Sequence, residues 1–131
     1  MSREQPVVLV IDDEEDMRDM LSYTLAARGL EPVSVDGGVA ALKAVRERKF
    51  DVAVTDLRMP GMDGIETLTA LKQLDPDLEV IVATAYASPE TTAKCNDRGA
   101  FGCLHKPYAI ESLHELLKAA LARRYGEKKA N

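Results

Sequence analysis

Val7-Val-Leu-Val-Ile-Asp-Asp-Glu14 decides the fold. Its first five residues are apolar, mostly β-branched, and unbroken by any polar position. A strand with one wet face would alternate; a continuous run indicates a strand covered on both faces, as in a parallel sheet. Three acids follow at once. They suit the first turn of a helix. They also stand where a dinucleotide-binding unit would carry its glycine fingerprint, and carboxylates there would repel a pyrophosphate.

Outward from this stretch the chain alternates. Met17, Met20, Leu21 and Leu25 recur at helical spacing, and Gly29 marks the stop. Residues 31–35 read as a weaker strand, Gly37-Gly38 as a turn, and Val39, Ala41, Leu42 and Val45 as a short helix. Residues 51–55 form a third strand ending at Asp56, and a turn-rich loop holding Pro60, Gly61 and Gly64 follows. Ile65, Leu68, Leu71 and Leu74 mark a helix closed by Asp75-Pro76. Residues 79–83 make a fourth strand that closes on Thr84. Ser88-Pro89 fits an N-cap followed by a first-turn proline. The helix it opens, ended by Gly99, is poor in apolar residues and so is expected to be loosely held. Residues 101–104, interrupted by Gly102, read as a fifth strand. Ile110, Leu113, Leu117, Ala120 and Leu121 mark the last helix, with a polar, frayed end over 125–131.

Five strands alternating with five helices describe an α/β domain, a doubly wound five-stranded parallel sheet of (βα)5 form. Right-handed crossovers leave two common strand orders, 3-2-1-4-5 and the flavodoxin-like 2-1-3-4-5. The acids after strand one favour 2-1-3-4-5. One domain is expected over residues 1–125, with 126–131 as a polar C-terminal tail or the start of a linker.

Composition agrees. The chain has 131 residues, 46% apolar and 30% charged, enough for one core without disulfides. A net charge of −5 argues against direct nucleic-acid binding. No apolar run is long enough for a membrane span, and no signal peptide opens the chain, so a cytoplasmic location is expected. Cys95 and Cys103 match no metal spacing and read as small apolar side chains.

In such sheets the ligand crevice lies at the carboxyl ends of the strands, where the winding reverses. Those ends deliver Asp12 and Asp13, Asp56, Thr84 and Lys106. Any single acid there, Asp56 included, is open to two readings, a cap and a site. Five such groups on one edge point to a site. Neighbouring carboxylates repel unless a cation compensates. An oxygen-only cluster suits Mg²⁺, which keeps several waters; Ca²⁺ stays open, although no calcium loop of the usual spacing is present. A carboxylate can attack phosphorus to give an acyl phosphate, a reaction that needs mainly positioning and charge neutralisation. Lys106 can pair with one phosphoryl oxygen and the Thr84 hydroxyl can donate to another.

These residues carry a family resemblance. Val8-Leu-Val-Ile-Asp-Asp-Glu14, Asp56-Leu-Arg-Met-Pro-Gly-Met-Asp-Gly64, Val82-Ala-Thr-Ala85, and Gly99-Ala100 followed by Leu104-His-Lys-Pro-Tyr108 together resemble the receiver domain of two-component response regulators, over roughly residues 6–122. The resemblance implies phosphorelay signal transduction, with Asp56 accepting a phosphoryl group from a sensor histidine kinase or phosphotransfer protein. It implies Mg²⁺ held by Asp13, Asp56 and the backbone carbonyl of Arg58, with Asp12 acting through metal-bound water. Thr84 and Lys106 would bind phosphoryl oxygens, and Lys106-Pro107 would be a cis peptide. The output surface would be helix four, strand five and helix five, open to an output domain, a downstream protein or a homodimer.

Family members usually carry an aromatic residue three positions before the lysine; here it is Cys103. The usual relay from Thr84 to that ring is therefore expected to give way to loop and helix movement, with a small void at Cys103. Arg58 and Tyr86, two past Asp56 and two past Thr84, flank the route of attacking water in such domains. They read equally as solvated loop residues and as obstacles that slow self-dephosphorylation.

Two further functions compete. An aspartyl-phosphate phosphohydrolase of the haloacid-dehalogenase type would want an acid where Arg58 stands. A non-phosphorylated interaction module would lack one of the five site groups, and none is missing. No P-loop motif is present. His105 and His114 have no ligand companions. A signalling switch rather than a turnover enzyme is the expectation.

Overall fold

In a computed structural model the chain is described over residues 5–57, 64–85 and 87–130, the last six as backbone alone. The element order is β1 (Val7–Ile11), α1 (Glu15–Ala27), β2 (Glu31–Val35), α2 (Gly38–Glu47), β3 (Val52–Thr55), α3 (Gly64–Leu74), β4 (Glu79–Thr84), α4 (Pro89–Asp97), β5 (Gly102–His105) and α5 (Ile110–Ala130). The strands pair in parallel in the order β2-β1-β3-β4-β5. This is the doubly wound, flavodoxin-like sheet expected from the sequence.

Strand periodicity divides the core in two. Leu9, Ile11, Ala53, Val80 and Val82 face one side with Leu68 and Leu71 of α3, Ala41 of α2 and Cys95 of α4. Val8, Val10, Val52, Val54, Ile81 and Ala83 face the other, against Leu21 and Leu25 of α1 and Leu113, Leu117 and Ala120 of α5. The three central strands are almost wholly buried, which explains their unbroken apolar runs. The edge strands β2 and β5 are only half-buried, matching their weaker signal. In β2 the Glu31 N–H bonds inward to the Pro6 carbonyl at 2.8 Å, and Pro32 is the next residue.

Helix ends follow local chemistry. The Ser88 hydroxyl caps α4 by accepting from Thr91 N–H at 3.1 Å, with Pro89 in the first turn. Gly29 and Gly99, with φ of +88° and +98°, close α1 and α4. The only fully buried residue of α4 is Cys95.

Besides one-residue differences at the start of β3 and the end of β4, three boundaries differ from expectation. β5 is shifted one residue on, although the Phe101 N–H still bonds the Val80 carbonyl at 2.7 Å. α3 begins at Gly64, within the stretch read as loop. α5 is helical through Ala130, where a frayed end was expected. Apolar spacing stops at Leu121, but the residues that follow are mostly good helix formers and contain no proline.

Candidate functional site

Four of the five strands lead to a polar group of the site. Asp12 follows β1, Asp56 follows β3, Thr84 closes β4 and Lys106 follows β5. Parallel pairing aligns these ends on one edge of the sheet. The Lys106 N–H bonds the Thr84 carbonyl at 2.8 Å, which fixes the loop that carries the lysine. Lys106-Pro107 is cis.

Lys106 is the centre of the arrangement. Its Nζ lies 2.8 Å from Asp56 Oδ2 and 3.2 Å from Asp12 Oδ2. All three side chains are largely sheltered, with 17%, 13% and 5% of their surface exposed. Asp12 is positioned further by its other oxygen, which accepts from the Glu14 N–H at 2.9 Å, and Arg18 bonds its carbonyl at 2.8 Å. Burial alone would lower the Lys106 pKa. The hydrogen bond to Asp56 and the charges of Asp12 and Asp56 outweigh it, so the pKa is raised from its ordinary 10.5. The ammonium form is thus secure at neutral pH. Thr84 is fully buried and Asp13 is exposed.

Asp56 is held from behind as well. Thr55 Oγ1 donates to its carbonyl at 3.1 Å. The Gly64 N–H bonds the Leu57 carbonyl at 2.9 Å, tying the start of α3 to the residue after Asp56. A Cβ at Gly64 would collide with Leu57 Cα and come 2.5 Å from the Asp56 carbonyl oxygen. Only a residue without a side chain lets α3 start so close to the acid.

The structure therefore brings together Asp12, Asp56 and Lys106, with Thr84 at the neighbouring strand end. Arg58 and Tyr86 lie outside the described residues, as do the expectations placed on them. Among the described residues no three His, Cys, Asp or Glu side chains gather as a metal cluster, and neither His105 nor His114 joins one. The donor chemistry nonetheless fits a small hard cation. All donors are oxygens, the Asp12 and Asp56 carboxylates share one ammonium, and Asp13 stands in solvent. Mg²⁺ needs only one or two carboxylates beside its waters.

Sequence reading gave Tyr108 no role beyond its place in the motif that carries Lys106. The Tyr108 hydroxyl is inaccessible and has no hydrogen-bond partner among the described residues. Burial raises its pKa, Lys106 opposes this, and Asp12 and Asp56 add to it. Tyr108 lines a mostly apolar cavity of about 350 Å³ with Met17, Met20, Ala85, Lys106, Pro107 and Ile110. Cys103 is half-buried, with Sγ 4.0 Å from the Thr92 hydroxyl of α4.

The fold and site define an open, doubly wound α/β domain with acids gathered around a lysine at its switch point. The comparisons make the assignment specific. The response regulator receiver domain family matches residues 8–118. The chain is 38% identical over 122 residues to the transcriptional regulatory protein ZraR of Klebsiella oxytoca, covering 93% of this chain and 28% of that protein. Among solved structures it is similar to the chemotaxis protein CheY4 of Vibrio cholerae, at TM-score 0.84 and 32% identity over 89% of this chain and 99% of that one. It is similar also to the beryllofluoride-activated NtrC4 receiver domain dimer, at TM-score 0.85 and 35% identity over 90% and 98%. The chain belongs to the response regulator receiver domain family, the phosphoryl-accepting signalling domains of two-component systems. It spans roughly a quarter of the length of the curated relatives it matches.

Proposed function

We propose that Asp56 is the phosphoryl acceptor, and that the donor is a phosphohistidine of a sensor kinase or phosphotransfer protein. The observation that carries this reading is the Lys106 ammonium 2.8 Å from Asp56 Oδ2. An Asp56 carboxylate oxygen forms the new bond to phosphorus while the phosphorus–nitrogen bond to the donor imidazole breaks. The bond's electron pair stays on the imidazole nitrogen, which takes up a proton. Lys106 orients the nucleophile before transfer and pairs with a phosphoryl oxygen after it, without leaving the site. The Thr84 hydroxyl donates to a second oxygen. Asp12, Asp13, Asp56 and the Arg58 carbonyl would hold Mg²⁺, which when bound would neutralise phosphoryl charge.

The domain acts as a switch and not as a turnover enzyme, with slow self-dephosphorylation set in part by Arg58 and Tyr86. The domain covers residues 1–125, with 126–131 as a tail or the start of a linker; it works in the cytoplasm and passes its signal to an output domain, a downstream protein or a second copy through the α4–β5–α5 face. Among the described residues no helix is long and apolar enough to cross a membrane. The deciding experiment is intact-mass measurement after incubation with Mg²⁺ and acetyl phosphate. Wild type is expected to gain one phosphoryl group and Asp56→Asn none. Equal addition to both proteins would overturn the assignment.

A further inference from the structure

The edge of the sheet opposite the site holds a second set of buried charges. Glu79, with 4% of its side chain exposed, accepts two parallel bonds from Arg123 of α5, each 2.9 Å. The Arg123 guanidinium also lies over the Phe101 ring, 5.0 Å from its centroid. The adjacent Arg124 is buried. Its Nη1 donates to the Asp77 carbonyl, and its Nε is 3.3 Å from Asp51 Oδ1, an ion pair in which the N–H is not aligned as a hydrogen bond. The other oxygen of Asp51 accepts from the Val7 N–H at 2.8 Å.

These anchor points are not scattered. Val7 begins β1, whose far end leads to Asp12; Asp51 precedes β3, which leads to Asp56. Glu79 begins β4, which ends at Thr84; Phe101 precedes β5, which leads to Lys106. The starts of β3, β4 and β5 therefore meet the pair of arginines in the C-terminal half of α5, and the start of β1 is tied to Arg124 through Asp51. The strands β3 and β4 are fully buried, and packed cores shift between discrete arrangements instead of deforming smoothly.

We propose that Arg123 and Arg124 form a readout clasp: phosphorylation displaces the strand ends, the central strands carry the displacement through the sheet, and the clasp passes it to the C-terminal turns of α5. This route does not need an aromatic ring at Cys103. It rests on Asp56 being the acceptor, and neither arginine belongs to the phosphoryl site.

The test is amide hydrogen exchange with and without Mg²⁺ and acetyl phosphate, with phosphorylation followed by intact mass in the same samples. In wild type, amides over residues 120–130 are expected to change exchange rate by about threefold on phosphorylation. In Arg123→Ala that change should fall by at least half while the phosphorylated fraction stays at the wild-type level. The double variant Glu79→Leu/Arg123→Leu removes both charges, so no buried acid is left unpaired, and it should behave alike. Unchanged exchange over 120–130 in phosphorylated wild type would overturn the clasp, as would a full response in both variants. Absence of phosphorylation in wild type would instead remove the acceptor reading beneath it.

Discussion

The two edges of the sheet solve one problem, a buried acid, in opposite ways. At the carboxyl edge a single lysine serves Asp12 and Asp56, and negative charge is in excess. At the amino edge Arg123 grips Glu79 with two bonds, and Arg124 covers Asp51 and the Asp77 carbonyl. An ammonium is a point charge on a flexible stem, with protons that can be redirected; a guanidinium is a planar fork that fits one carboxylate. The carboxyl edge is built to exchange partners. The amino edge is built to keep them.

Exchanging the cation at the site should break this contrast most sharply. Lys106→Arg is expected to slow phosphorylation by acetyl phosphate about 100-fold, because a fork fixed on a carboxylate cannot follow the phosphoryl group. Its urea midpoint should stay near wild type, so rate and stability separate. A wild-type rate would dissolve the distinction between the edges.

Next in size is Gly64→Ala. A methyl group there meets backbone and not a movable side chain, so a loss of about 3 kcal/mol is expected in urea denaturation. Chemical shifts of Asp56 and Leu57 should move with it; unchanged shifts would show that α3 can retreat.

Arg123→Ala tests the opposite edge. It leaves Glu79 buried without its fork, which in a closed interior would cost several kcal/mol; with Arg123 half exposed, about 2 kcal/mol is expected. Phosphorylation should be unaffected, and a matching loss of rate would merge the two edges into one unit. The smallest effect is assigned to Tyr108→Phe. Removing a buried hydroxyl that has no partner among the described residues should leave stability equal or higher by about 1 kcal/mol. A clear loss would reveal a partner for that hydroxyl.

Sequence patterns made the carboxyl edge legible and left the amino edge unread, for a physical reason. Asp12, Asp56, Thr84 and Lys106 each follow an apolar run, so the strand signal itself points to them. Glu79 and Asp51 stand before such runs and Arg123 in a polar helix end, where a charge ordinarily means solvent. Their pairing spans 44 residues of chain from Glu79 to Arg123 and has no local signature. Gly64 was read as part of a turn; that it is pressed against Asp56 follows only once α3 has been placed. The length of α5 was missed because apolar spacing reports burial, and a helix can outrun its buried face.

Pro32 has a consequence of a different kind. The N–H of Glu31 points inward to β1, so the neighbouring nitrogen faces the open rim of the sheet. Proline leaves that rim without a donor at the second position of the strand. A foreign strand laid along β2 would find its ladder interrupted there. The domain is thereby guarded against growing edge to edge into aggregates, however crowded it is with copies of itself.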